Sequence, residues 1–335
     1  MPYVLVFGAG SLGAAYGWVL SRDVGESNVT AVCRSNYDAA SEAGFTIHSK
    51  LWGDDIKFKP RVARTVDDAV TQCPDHFSYV VVAAKAIPTS PSTAELIKPA
   101  VVDRDTVIVL IQNGIGIEEE YATLYPNNPI LSTVAYFPAT QVSPGVVHHQ
   151  EVETLHVGTY PASAPAQHKE AAQGFVELIG RCKATAKLHD DVQRERWSKL
   201  LVNGSWNPVS ALTRLRDRQF IDSKKPDGKN GEHALAFIRD VMLEIAAVAQ
   251  AYGYRDIDAE LVEFQIQRAA VRQLPGIQTS MLADALEGKT MEVDAIVGNA
   301  VRLAREKGVP VPMLRTIYLL ANGLSESFAR RKASS

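Results

Sequence analysis

The segment Trp197-Ser198-Lys199-Leu200-Leu201-Val202-Asn203-Gly204-Ser205-Trp206-Asn207-Pro208 carries the most unusual chemistry in the chain. Lys199, Asn203 and Asn207 recur every four residues, so on a helix they share one slowly drifting face. Trp197, Leu200 and Leu201 put apolar surface beside that stripe. Asparagine is a poor helix former, and two at this spacing need a reason other than propensity. Two amides and an amine aligned near apolar surface are costly to bury without partners, and a bound polar substrate would be such a partner. A lysine, with an unperturbed pKa of about 10.4, is charged at neutral pH. It can give a proton to a carbonyl oxygen as hydride reaches the carbon, while a neighbouring amide orients the substrate. The competing reading is a solvated polar helix face.

A second piece of chemistry sits at Gly8-Ala9-Gly10-Ser11-Leu12-Gly13. The six residues follow the apolar run 3–7 and open a segment of helical character at 12–22, the context in which a GxGxxG pattern signifies dinucleotide binding. Gly8 permits the tight turn, Gly10 lets the backbone approach a pyrophosphate, and Gly13 lets the helix pack close to the sheet. The N–H groups at the helix start attract the anion. The next strand, 28–33, runs into Cys33-Arg34-Ser35-Asn36. No carboxylate is there to bond a ribose 2′-OH, and the Arg34 guanidinium suits a 2′-phosphate, which favours NADPH over NADH. Lys85 follows the apolar run 78–84, and Asn113, within Gln112-Asn113-Gly114-Ile115-Gly116, follows 106–111. Both are expected at the carboxyl ends of strands, where such sheets bind ligands; a loop lysine and a turn dipeptide are the plainer alternatives. Ser280 and Asp284 in Ser280-Met281-Leu282-Ala283-Asp284 share a face if helical, and Glu292 opens the next helical segment. An N-cap and a surface carboxylate are the alternatives for Ser280 and Asp284.

The elements that must carry these groups are legible in outline. Runs 3–7, 28–33, 78–84, 106–111 and 130–137 read as strands, several of them almost wholly apolar, with helical segments between, and this alternation implies a doubly wound, mainly parallel α/β sheet. Residues 44–64 alternate around Gly53-Asp54 and predict an antiparallel excursion. A similar pair is expected at 145–149 and 154–158. After about residue 188 the strands stop, and 190–213, 233–252, 258–272, 279–287, 291–307 and 312–329 read as helices. We therefore expect a Rossmann domain over 1–188 and an all-α domain over 189–335, with a polar loop at 222–231 and a frayed tail from Arg330.

With 335 residues, 46% apolar and 22% charged, the chain can bury a core without staples, and its net charge of −3 gives no bias toward nucleic acid or anionic membrane. Cys33, Cys73 and Cys182 form no CxxC pair; buried filler in a reducing compartment is the expectation, with no metal site. No apolar run approaches the ~20 residues of a membrane span, and no signal segment precedes the first strand, so a cytoplasmic protein is expected.

Together these motifs resemble the ketopantoate reductase (2-dehydropantoate 2-reductase) family through nearly the whole chain, in order from Gly8-Ala9-Gly10-Ser11-Leu12-Gly13 through Arg34, Lys85, Gln112-Asn113-Gly114-Ile115-Gly116 and Trp197-Ser198-Lys199 with Asn203 and Asn207 to Ser280-Met281-Leu282-Ala283-Asp284 with Glu292. The resemblance implies NADPH-dependent reduction of a 2-keto acid, ketopantoate to pantoate, for pantothenate and coenzyme A synthesis. It implies Lys199 as general acid, Asn203, Asn207, Ser280 and Asp284 on the substrate, and Asn113 touching both substrate and nicotinamide. It implies the residues from Gly8 to Gly13, Arg34, Lys85, Ala139 and Glu292 on the cofactor. The stretch with Arg214, Arg216 and Arg218 departs from the family pattern. It reads either as the mark of another branched or aromatic 2-keto acid or as a solvated basic face. A cofactor-binding sensor without catalysis is the alternative from another class, and a homodimer through the C-terminal helices is left open. The geometric expectation is that the Lys199 ammonium projects across an interdomain cleft toward the nicotinamide.

Overall fold

The computed structural model describes residues 1–223 and 231–333. Its strands are β1 Tyr3–Phe7, β2 Val29–Val32, β3 Phe45–Ser49, β4 Gly53–Phe58, β5 Arg61–Ala63, β6 Phe77–Val82, β7 Val107–Leu110, β8 Ile130–Tyr136, β9 Ala139–Ser143, β10 Val146–His149, β11 Thr154–Thr159 and β12 Ala186–Leu188. Its α-helices are α1 Ser11–Val24, α2 Tyr37–Ala43, α3 Val66–Gln72, α4 Thr93–Leu96, α5 Glu119–Leu124, α6 Ala166–Arg181, α7 Gln193–Thr213, α8 Asp217–Ile221, α9 Glu232–Ala251, α10 Ala259–Ala270, α11 Ser280–Leu286, α12 Asn299–Glu306 and α13 Pro312–Ala333. A π-helical turn, Asp294–Gly298, leads into α12.

Two compact units result. The first comprises Met1–Gln112 and Ile117–Val192; the second runs from Gln193 onward and also takes in Asn113–Gly116. The division expected after residue 188 corresponds to the end of β12, whereas α7 begins the second unit at Gln193.

In the first unit an eight-stranded sheet runs β12-β11-β8-β7-β6-β1-β2-β5. All neighbours are parallel except β8 and β11. The near-continuous apolar runs of β1, β6 and β7 follow from burial on both faces. Val4 and Val6 point into a core built with α1 and α6. Leu5 and Phe7 point into another built with α3, α4 and α5. Helices therefore cover both faces, the doubly wound arrangement of a Rossmann-type domain. Capping boxes at Thr65 and Ser92 start α3 and α4.

The excursion at 44–64 is antiparallel β3–β4. The second expected pair is corrected. β10 pairs antiparallel with β9 and parallel with β3, while β11 joins β8 in the large sheet. The physical reason is the Pro144-Gly145 turn, with Gly145 at φ +80, which closes β9 onto β10; nothing comparable links β10 to β11.

The second unit is helical among the described residues, around one core that joins Leu200 and Leu201 of α7, Met242 and Ile245 of α9, Ile266 of α10 and Leu314 of α13. Gly204 lets α7 approach α9, since a Cβ there would stand 2.8 Å from Ile245 Cδ1. Of the expected loop at 222–231, residues 224–230 lie outside the described residues. The tail differs from expectation: α13 continues through Ala333, and 334–335 lie outside the described residues. All three cysteines are free. Cys33 and Cys182 are buried, their thiols pushed up to about 12 and about 11 by burial, and Cys73 is half-buried. No helix among the described residues is long and apolar enough to cross a membrane.

Candidate functional site

The glycine turn of the first unit is shaped by absent side chains. Gly8 has φ +91, and a Cβ on it would stand 2.4 Å from the Ala84 nitrogen. A Cβ on Gly13 would stand 2.3 Å from the Gly8 carbonyl oxygen, so α1 lies directly on the turn. Gly10, by contrast, faces open space, and as the N-cap of α1 it has no side chain bonding the first N–H groups. The first turn of α1 holds no acidic residue. Ala9 is buried, Ser11 and Leu12 half-buried. These features fit a dinucleotide: an open backbone donor set at a helix N-terminus, without a carboxylate to repel a pyrophosphate.

Asn36, which the sequence reading passed over, holds this turn. Its buried Nδ2 donates to the Ala9 carbonyl at 2.7 Å and to Gln141 Oε1 on β9 at 3.2 Å. Its position directly after β2 and Arg34 was the available signal. Arg34 is exposed, its guanidinium 5.8 Å from the Phe7 ring centroid. Lys85 is also exposed, just past β6. Ala139 is half-buried at the first position of β9, the strand that Gln141 ties to Asn36.

In the second unit α7 carries the stripe. Lys199 is half-buried, and its Nζ donates to Asn113 Oδ1 at 3.0 Å. The segment bearing Asn113 is fastened by side chains. Arg196 Nη1, on a buried residue, donates to the Gly114 carbonyl at 2.9 Å, and Asn299 Nδ2 donates to the Ile115 carbonyl at 2.8 Å. Ile115 N donates to the Ala295 carbonyl at 3.1 Å. Gly114 is at φ +106, where a Cβ would stand 2.2 Å from that carbonyl oxygen. Asn113-Gly114 is thus a fastened support as well as a turn. Arg196 and Asn299 were not singled out from sequence, because backbone carbonyls distant in the chain leave no motif.

Burial lowers the Lys199 pKa to about 8, with the Arg196 charge acting in the same direction and Glu292 opposing it. Glu292 itself is only 8% exposed. Asn203 is half-buried further along α7, and Asn207 is 5% exposed. Pro208 lies inside α7 and, lacking an N–H, leaves the Gly204 carbonyl outside the helical ladder. Ser280 is the exposed first residue of α11, and Thr279, not Ser280, caps that helix by accepting from Leu282 N at 3.2 Å. Asp284 is half-buried on the same helix, which packs against α7. Lys199, Asn113, Arg196 and Glu292 are therefore grouped by contact or charge. Asn203 and Asn207 lie further along α7, and Ser280 and Asp284 lie on α11, which packs against α7.

The arginines after α7, of which Arg214 is exposed and Arg216 and Arg218 are half-buried, are bonded to backbone carbonyls. Arg214 donates to the Ala285 carbonyl, Arg216 to the Gly276 carbonyl, and Arg218 to the Ala270 carbonyl.

Comparison with known proteins follows the same division. The family model described as "Ketopantoate reductase PanE/ApbA" matches residues 4–162, and "Ketopantoate reductase PanE/ApbA C terminal" matches 191–325. A 2-dehydropantoate 2-reductase of Nostoc is 26% identical, over 93% of this chain and 92% of its own. The crystal structure of a 2-dehydropantoate 2-reductase from Methylococcus capsulatus superposes with a TM-score of 0.81 at 29% identity, covering 97% of each chain. A D-mandelate dehydrogenase bound to NADH and anilino(oxo)acetate shares the fold, with a TM-score of 0.80 at 18% identity and coverage of 98% of this chain and 100% of its own.

Proposed function

Since the chain belongs to the ketopantoate reductase family, we propose that it reduces 2-dehydropantoate to pantoate with NADPH, as a step toward pantothenate and coenzyme A, with Lys199 as the general acid. Bound NADPH would supply hydride to the keto carbon. What this chain supplies is the proton. A free lysine is a weak acid at neutral pH; one with a pKa of about 8 is still mostly charged at pH 7 and gives its proton up far more readily, the compromise that general acid catalysis favours. Asn113 Oδ1 accepts one ammonium hydrogen and so fixes the direction of the others. Asn203, Asn207, Ser280 and Asp284 are the groups assigned to the substrate, and Asn113 is assigned to substrate and nicotinamide alike.

On the cofactor side, the turn Gly8 to Gly13 would hold the pyrophosphate, and Arg34, exposed past β2, would take the 2′-phosphate. Lys85, Ala139 and Glu292 complete the set assigned to the cofactor. The observation that carries the reading is the Lys199–Asn113 hydrogen bond on a lysine whose pKa burial has lowered. The test is a panel of 2-keto acids with NADPH and NADH side by side, scored by kcat/KM from nicotinamide absorbance. Ketopantoate with NADPH is expected to rank first. A branched or aromatic acid ranking first would overturn the substrate, and cofactor binding without turnover on any acid would leave a binding protein.

A further inference from the structure

Asp217 is a carboxylate that no part of the proposed chemistry uses, yet its residue is only 1% exposed. Burying a charge is expensive unless it is paired and fully hydrogen-bonded. Here it is. Oδ1 accepts from Arg218 N and from Ile277 N, each at 2.7 Å, and Oδ2 pairs with the Arg272 guanidinium. The Asp217 N–H returns a long bond to the Ile277 carbonyl at 3.4 Å. Two of these partners, Arg272 and Ile277, lie on the connection between α10 and α11. At its tightest point, Gly276 at φ +83, a Cβ would stand 2.3 Å from Asp217 Oδ1. Arg216 reinforces the grip, with Nη1 on the Gly276 carbonyl at 3.3 Å and Nη2 on Gln278 Oε1 at 3.1 Å.

Val271, Leu274 and Ile277 are exposed hydrophobics rather than core anchors. The gripped connection ends at the Thr279 cap, directly before Ser280. We infer that Asp217 is a positioning residue for the substrate side of the site: by holding the 271–279 connection it sets where Ser280 and α11 stand against α7. This rests on the reading of Ser280 and Asp284 as substrate groups. It also gives the arginine-rich departure from the family pattern a purpose, since the guanidiniums at 214, 216 and 218 bond the backbone of 270–285 and are engaged there.

The test compares Asp217→Asn, Arg272→Gln and the double variant in the full-length enzyme. Asp217→Asn is expected to raise KM for the keto acid about tenfold, to lower kcat by less than about threefold, and to leave NADPH Kd within about twofold. Adding Arg272→Gln should recover part of the KM loss by removing the stranded cation. Should Asp217→Asn fold poorly, Arg216→Gln, which strands no buried charge, should still raise KM about threefold at an unchanged Tm. A lowered Tm with unaltered KM would overturn the inference, as would kcat, KM and NADPH Kd all deteriorating together. Amide hydrogen exchange separates this from the functional reading. If wild type reduces no 2-keto acid, that reading fails alone, and the inference then stands or falls on whether Asp217→Asn accelerates exchange in 271–279 by about tenfold while α9 is unchanged.

Discussion

At residues 8–13 the first unit shapes a tight turn by leaving side chains out, whereas around Lys199 the second unit shifts the pKa of an amine by crowding side chains in. The turn depends on positions where a Cβ would strike backbone, at Gly8 and Gly13, and its donors are main-chain N–H groups that do not titrate. The ammonium depends on burial, on Arg196 and Glu292, and on an amide from a distant stretch of chain. The first device is indifferent to pH; the second titrates. On the proposed reading, one chain divides its labour between an anion cradle made of backbone and an acid made of side-chain surroundings.

The sharpest break in that contrast is Lys199→Ala. It should lower kcat by about a hundredfold or more while NADPH Kd is unchanged. Near-normal turnover would remove the acid role. The wild-type profile should carry the same signature. Lys199 must be protonated to act, and its pKa in the ligand-free protein is about 8, so kcat/KM should be level below that pH and fall by about tenfold per pH unit above it. A profile flat to pH 10 would show that the proton comes from elsewhere.

Next in size is a comparison inside the turn. Gly8→Ala should cost about 2–3 kcal/mol of stability, because it combines a left-handed φ with a collision at Ala84. Gly10→Ala, into open space, should change stability by less than about 0.5 kcal/mol yet still weaken dinucleotide binding. Thermal melts and cofactor titrations of both variants separate folding from binding, and equal melts would refute the steric account.

Smallest is Arg34→Ala, expected to weaken NADPH by about 1–3 kcal/mol with little change for NADH. Equal losses for both cofactors would take the 2′-phosphate away from Arg34.

Legibility followed the same divide. The buried strands β1, β6 and β7 were plain because burial on two faces leaves mostly apolar residues, and the glycine turn was plain because Gly8 and Gly13 admit nothing larger. The Lys199 stripe showed through its four-residue period, and the helices after Gln193 through theirs. The parallel pairing of β10 with β3 was not legible, since register between strands so distant in sequence is chosen by the assembled sheet. Nor was the role of Arg214, Arg216 and Arg218, because their acceptors are main-chain carbonyls, which every residue possesses. Asn36 escaped for a similar reason: its partner is the carbonyl of Ala9.

The allegiance of Asn113–Gly116 to the helices beyond Gln193 means that the helical half is discontinuous in the gene's order. A fragment excised at Gln193 would hold Lys199 without its amide acceptor, Arg196 without the Gly114 carbonyl, and Asn299 without the Ile115 carbonyl. Truncation would therefore remove a splint as well as the first unit, and any attempt to transplant Lys199 with its surroundings into another scaffold has to carry that short peptide along with the helix.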